Sequence, residues 1–240
     1  MSVTAYVVIA VAVVLASCLQ ASIGFGMGTF AAPVVAIVDP SLIPGMLIML
    51  ATLVTLMVTI RERAHVDLRG TGWALAGRVP GTVAGALLVL FLPDRGLALL
   101  LAGVVLLGVV VTSFGWSPQP HRPNLVVAGA ASGLLGTATS IGGPPMALVW
   151  QGSSGARLRG TMSGFFLIGS VFSLVMLTVT GSVDMTIVWT FVALLPAPFL
   201  GYAMSRYVNR LLDPQRLRWT AISVSAGGAV VLVGQQLLAL

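Results

Sequence analysis

The sequence predicts an all-α polytopic membrane protein made of two inverted repeats, each a broken-helix hairpin followed by three transmembrane helices. Three observations carry this. The 240-residue chain is 58% hydrophobic and only 8% charged, with a mean hydropathy of +1.05. A soluble domain carries about 25% charged residues. Several apolar runs reach about 20 residues, the length that crosses a bilayer as helix. Gly-rich breaks interrupt two of those runs, at 20–33 (QASIGFGMGTFAAP) and near 140 (TATSIGGPP). Segments in lipid must satisfy their own backbone groups, and these runs lack period-2 alternation. They therefore read as helices and not as barrel strands.

The first unit covers 4–38: an apolar helix to about Gln20, the break, and a short apolar segment to Val38. It lacks the basic start of a signal peptide and reads as a retained first helix. Asp39-Pro40 makes a turn. Apolar runs follow at 41–60, ended by RERAHVDLRG, at 70–92, ended by a Pro-Asp-Arg-Gly turn, and at 97–114. The Pro-rich stretch SFGWSPQPHRPN is the one internal boundary. It divides a first repeat at 1–116 from a cytoplasmic linker at 117–123 and a second repeat at 124–240.

The second repeat has the same order. An apolar run at 124–139 meets the break SIGGPP, and a short segment runs to Gln151. The polar loop GSSGARLRG precedes runs at 161–181, 185–205 (with Pro196 and Pro198 in its middle) and 219–238. Ser22-Ile23-Gly24 matches Ser140-Ile141-Gly142, and Val66-Asp67 matches Val183-Asp184 just before the equivalent run.

All twelve basic residues are arginine, and the net charge is +6. In a soluble chain this would point to nucleic acid. Here the arginines sit in short loops and act as topology signals. Arg61, Arg63, Arg69, Arg122, Arg157, Arg159, Arg206, Arg210, Arg216 and Arg218 all fall on one side if the long runs cross in turn. Placing that side inside puts both termini outside, makes each broken element a hairpin or pair of short spans, and inverts one half relative to the other. Arg95, on an outer turn, is the exception. Inverted repeats with broken helices are the architecture of secondary transporters.

Each break starts a short helix within the membrane, and a helix N-terminus offers unpaired N–H groups and partial positive charge. For one break, close helix packing is the simpler reading of the glycines. Two in equivalent places favour an anion site. Arg78 lies about 12 Å into its run at 1.5 Å per residue, near the middle of a ~30 Å core. An ionisable residue at that depth is a functional candidate, with snorkelling to the surface as the alternative. No acidic residue lies mid-span and no histidine is buried, which speaks against carboxylate-based cation pumping. Cys18 stands alone, and no Cys/His cluster for a metal, no nucleophile–base pair and no phosphate loop is visible. The five tryptophans read as interfacial anchors and the ten methionines as packing.

SIGFGMGTFAAPVV at 22–35, the run ending in RERAHVDLRG at 61–70, and GLLGTATSIGGPPMAL at 133–148 together resemble the sulfite exporter TauE/SafE family, also called the toluene-sulfonate uptake permease family. The resemblance spans nearly the whole chain in two halves. It implies about eight helical segments and the movement of sulfur-containing anions such as sulfite, sulfoacetate or other organosulfonates. Met27 departs from the small residue expected within GFGMG.

The combined expectation is a transporter, an exporter by preference, that works by alternating access around a midplane anion site. The candidate substrate-binding residues are Gln20, Ser22, Gly24, Gly26, Gly28, Arg78, Thr137, Thr139, Ser140, Gly142, Gly143 and Pro144. No enzyme activity, cofactor, metal or nucleic acid is predicted, and no oligomeric state is specified. The partners are a small anion and the lipid of a bacterial inner membrane. A passive anion channel, an uptake permease for another small organic anion, and an accessory membrane subunit are the competing readings.

Overall fold

A computed structural model describes residues 2–93, 96–97, 99–100, 103, 118–150, 152–153 and 155–211. The runs predicted at 219–238 and over most of 97–114, with Trp116, Trp219, Arg95, Arg216 and Arg218, lie outside the described residues. The named helices are α1 (Val3–Ile23), α2 (Met27–Val38), α3 (Gly45–Glu62), α4 (Leu68–Phe91), α5 (Arg122–Thr139), α6 (Gly143–Val149), α7 (Gly155–Val179), α8 (Met185–Leu194) and α9 (Pro196–Leu211). No strand occurs among the described residues. Helices α1, α3, α4 and α7 are each long and apolar enough to cross a membrane, and α8 with α9, bent by 41° at their junction, are together long and apolar enough to do so. The protein is an integral, multi-pass membrane protein.

Local chemistry sets the helix ends. Ser2 caps α1 by accepting from the Ala5 N–H, and α1 stops at Gly24, which takes the left-handed conformation that glycine tolerates best (φ +89°). The two matched Val-Asp pairs prove to be caps. Asp67 accepts from the Gly70 N–H at 2.9 Å and Asp184 from the Ile187 N–H at 2.8 Å, each opening the helix that follows. The run at 185–205 divides at Leu195 because Pro196 has no N–H to continue the ladder. One expected loop differs. GSSGARLRG becomes helix from Gly155, so Arg157 and Arg159 ride on the first turns of α7. Carboxylates anchor them there: Arg159 Nε lies 3.0 Å from Glu62 and Arg157 Nη2 lies 3.5 Å from Asp67.

Helix α4 packs most extensively on α5, through small residues from both. A Cβ added at Gly77, Gly81 or Gly85 would overlap the carbonyls of Val126, Ala130 or Leu134. One added at Gly129 or Gly133 would overlap those of Ala74 or Arg78. Lipid gives helices no hydrophobic reason to associate, so close backbone approach is what holds such a pair. The other large contacts are α1 with α9 and α3 with α7.

The two ends of the bundle differ in charge. At one end Arg61 and Arg206 both stack on Tyr202, Arg61 and Arg159 share Glu62, and Arg122 lies over Trp73. At the other end Ser2, Asp39, Thr186 and Trp189 line one pocket, and the Tyr6 hydroxyl donates to the Ala193 carbonyl. Trp189 is exposed, as an interfacial residue should be, and so is Trp73, but Trp150 is only 3% exposed. Its ring packs against Gly70, where a Cβ would collide with it. That tryptophan is a packing residue and not the interfacial anchor its place near a span end implied.

Candidate functional site

The first break is held open by a side chain. The Gln20 amide oxygen accepts from the Met27 N–H at 2.9 Å, and its NH2 donates to the Ala51 carbonyl at 3.2 Å. Gln20 thus bridges the end of α1, the first N–H of α2 and the middle of α3. Gly26 supplies the turn between them at φ +138°. Replacing Gln20 by leucine is expected to leave the buried Met27 N–H without an acceptor. The cost is about 1–3 kcal/mol, read as a lower midpoint of thermal unfolding in detergent together with lost transport.

The second break closes α5 with Ser140 in the left-handed region (φ +64°). The Ser140 hydroxyl donates to the Pro44 carbonyl at 3.1 Å, which ties this break to the start of α3. The two breaks then meet. A Cβ at Gly28 would overlap the Ser140 carbonyl, and one at Gly143 would press into the Phe25 ring. Only glycine allows the starts of α2 and α6 to pass at this distance.

A cavity of about 40 Å³ lies where they cross, lined by both breaks and by α3, α4 and α7. One water needs roughly 10–15 Å³ by this measure, so the space suits a few heavy atoms and not a large ligand. Thr55, Ser170 and Ser173 contribute hydroxyls to the wall.

Arg78 reaches the same cavity from the middle of α4. It is only 4% exposed. Its guanidinium carbon sits 4.7 Å from the Phe165 ring centre and 5.3 Å from that of Phe166. Nη1 donates to the Ser132 hydroxyl at 3.3 Å, while Nε has no acceptor. Among the described residues no carboxylate pairs with it. Gly169 makes room for it, since a Cβ there would overlap Nε. The Ser132 hydroxyl in turn donates to the Gly142 carbonyl at 2.7 Å. Arg78 is thereby joined through one side chain to the backbone of the second break. A charge buried without a counter-ion is costly, and two aromatic faces offset that only in part, at ~2 kcal/mol or somewhat more when desolvated.

Seven of the twelve predicted residues line this cavity: Gln20, Gly26, Gly28, Arg78, Ser140, Gly142 and Gly143. The other five do not. The Ser22 hydroxyl donates to the Cys18 carbonyl of its own helix. Gly24 faces Met162 and the backbone of Arg159. Thr139 donates to the Leu135 carbonyl, and Thr137 shares a hydrogen bond with Ser173 from behind the wall. Pro144 is half-buried in the first turn of α6. Met27 is fully buried among core residues and also borders the cavity. Phe165, Phe166, Ser132 and Gly169 went unpredicted. Their positions in sequence look like ordinary membrane helix, and the one signal that could have flagged close packing near there is the Gly-rich character of 129–136.

Among the described residues, no group of three or more His, Cys, Asp or Glu side chains could hold a metal ion. The lining offers a guanidinium and the start of α2 as donors, while the Thr55, Ser140, Ser170 and Ser173 hydroxyls already donate to carbonyls. That set suits a small oxyanion. The family model described as sulfite exporter TauE/SafE covers residues 9–232. No curated protein and no solved structure matches.

Proposed function

We propose that this chain, which belongs to the sulfite exporter TauE/SafE family, carries a small sulfur-containing anion across the membrane by binding it at Arg78 between the two breaks. The observation that carries this is the Arg78 guanidinium, buried at the cavity with a free Nε and no carboxylate partner among the described residues. An oxyanion there would supply the missing countercharge. Gly26 and Gly28 would let it approach the start of α2, and Ser140 and Ser170 line the same space. The cavity volume of about 40 Å³ favours sulfite over a bulky organosulfonate, which would need the walls to open.

An inverted arrangement of the two halves is supported by where each hairpin opens. Ser2 and Asp39, at the two ends of the first, line one pocket. Arg122 and Trp150, at the two ends of the second, line another at the arginine-rich end. The concentration of arginine at that end supports its placement on the cytoplasmic side of a bacterial inner membrane, with both termini periplasmic. Alternating access around the crossing point follows for such a layout.

With the inside negative, outward movement of a monovalent anion gains about 2.3 kcal/mol per 100 mV, and the carboxylate buried among the described residues, Glu62, is paired with Arg61 and Arg159 at the arginine-rich end, away from the cavity. Export is therefore read as driven by potential alone. The test is sulfite flux from liposomes holding only the purified chain. Saturable flux that follows an imposed potential, with labelled sulfite exchanging against unlabelled, is expected. Non-saturable flux without exchange would mean a channel, and flux that needs a pH gradient at clamped potential would refute uncoupled export.

A further inference from the structure

A second pocket, of about 580 Å³, opens at the arginine-rich end between the first turns of α4, the start of α5 and the end of α6. Its volume falls within the ~300–1,000 Å³ of small-ligand sites. Arg69, Arg122 and Arg157 line it. Asp67 offsets only Arg157, at 3.5 Å. Arg69 and Arg122 have no carboxylate partner among the described residues. Arg122 is stacked on Trp73, 5.1 Å from the ring centre, which holds the guanidinium in place.

Two further features are independent of these charges. The start of α5 borders the pocket and has no side-chain cap, so its first N–H groups lack side-chain acceptors. Trp150 also lines the pocket, and its indole N–H is buried with no acceptor. Three guanidiniums and an uncapped helix start thus face a single carboxylate, Asp67, and a ligand with several acceptor oxygens and negative charge would complement that excess of donors. Next to the pocket residues in sequence, Leu68 is 79% exposed and Val127 is 69% exposed, an apolar surface suited to acyl chains.

We infer that this pocket is an anion site separate from the Arg78 cavity, and that it binds a phosphate group, with the adjoining apolar surface favouring an anionic phospholipid head group as its source. Basic pockets between transmembrane helices on the cytoplasmic side bind such head groups. The site does not depend on what the Arg78 cavity carries.

The experiment is native mass spectrometry of the purified full-length protein, titrated separately with phosphatidylglycerol, phosphatidylcholine, inorganic phosphate and sulfite. Phosphatidylglycerol is expected to stay bound where phosphatidylcholine does not. Arg69→Gln and Arg122→Gln should each weaken it about fivefold, while Arg206→Gln, at the same end but outside the pocket, should leave it unchanged. Arg122→Lys keeps the charge and should retain most binding, which separates lost charge from lost folding. Saturable binding of inorganic phosphate, weakened by the same two glutamine variants, would keep the phosphate site and make its source soluble. Equal retention of both lipids, unchanged binding in both glutamine variants, or binding of sulfite in preference to phosphate would each overturn the inference.

Discussion

Arg78→Gln is expected to reduce sulfite transport by at least about tenfold while leaving the folded protein as stable as before, or more stable. The two expectations have one cause. A charged hydrogen-bond donor contributes about 1.5–3 kcal/mol to holding an anion, which corresponds to roughly 10–150-fold in binding. The same guanidinium, with no anion present, is a buried charge without a partner, and removing such a charge relieves a desolvation cost. Transport in liposomes and thermal unfolding in detergent measure the two sides. A variant that loses transport and also unfolds easily would mean that Arg78 is mainly structural, held by Phe165, Phe166 and Ser132 for the sake of the fold. Gly169 provides a check, because a Cβ there meets Arg78 Nε. Gly169→Ala should destabilise the wild type, and the same change on an Arg78→Ala background should cost much less without restoring transport.

Gly28→Val is expected to have the largest effect on the fold. The added side chain meets the backbone carbonyl of Ser140, which is pinned by its hydroxyl on the Pro44 carbonyl and cannot move aside as a flexible side chain can. Overpacking of this kind costs about 1–3 kcal/mol and sometimes more. Here it also separates the two helix starts that bound the cavity, so transport should vanish even in whatever fraction still folds. Gly72→Ala is the control. Nothing lies within 4 Å of a Cβ there, so the change should gain a few tenths of a kcal/mol from helix propensity. Thermal unfolding of the two variants side by side checks the contrast.

Much of this architecture was legible because the bilayer simplifies the code. Long apolar runs must be helices, so α1, α3, α4 and α7 follow from hydropathy. A break in such a run must be buried in protein or line a cavity, so the glycines around 24–28 and 142–143 marked the place where α2 and α6 cross. Arg78 was legible from depth alone. The partners of these residues were not. Phe165, Phe166 and Gly169 lie on α7 and Ser132 on α5, at positions where an apolar or small residue is unremarkable, and only packing brings them to one guanidinium. Hydroxyls misled for a related reason. Ser22 and Thr139 sit beside the breaks, yet in an apolar interior a hydroxyl can satisfy itself on the carbonyl one turn back. Closeness in sequence to a break therefore does not say which way a serine or threonine points.

The interlock of α4 with α5 bears on how such a carrier moves. These helices come from opposite halves of the chain, and so do the other tightly packed pairs, α1 with α9 and α3 with α7. Two rigid bodies cut at the central linker would have to shear every one of these seams at once, including the one where carbonyls rest directly on glycine Cα atoms. Backbone-to-backbone contacts leave no slack for sliding. The parts with freedom are the short segments: α2 and α6 each have one covalent end at a glycine-bearing break, and α8 and α9 meet at a 41° bend. For the alternating access proposed above, the economical displacement would be a tilt of α2 and α6 against a stationary frame of crossed long helices, in the manner of two levers sharing one fulcrum at Gly28 and Ser140.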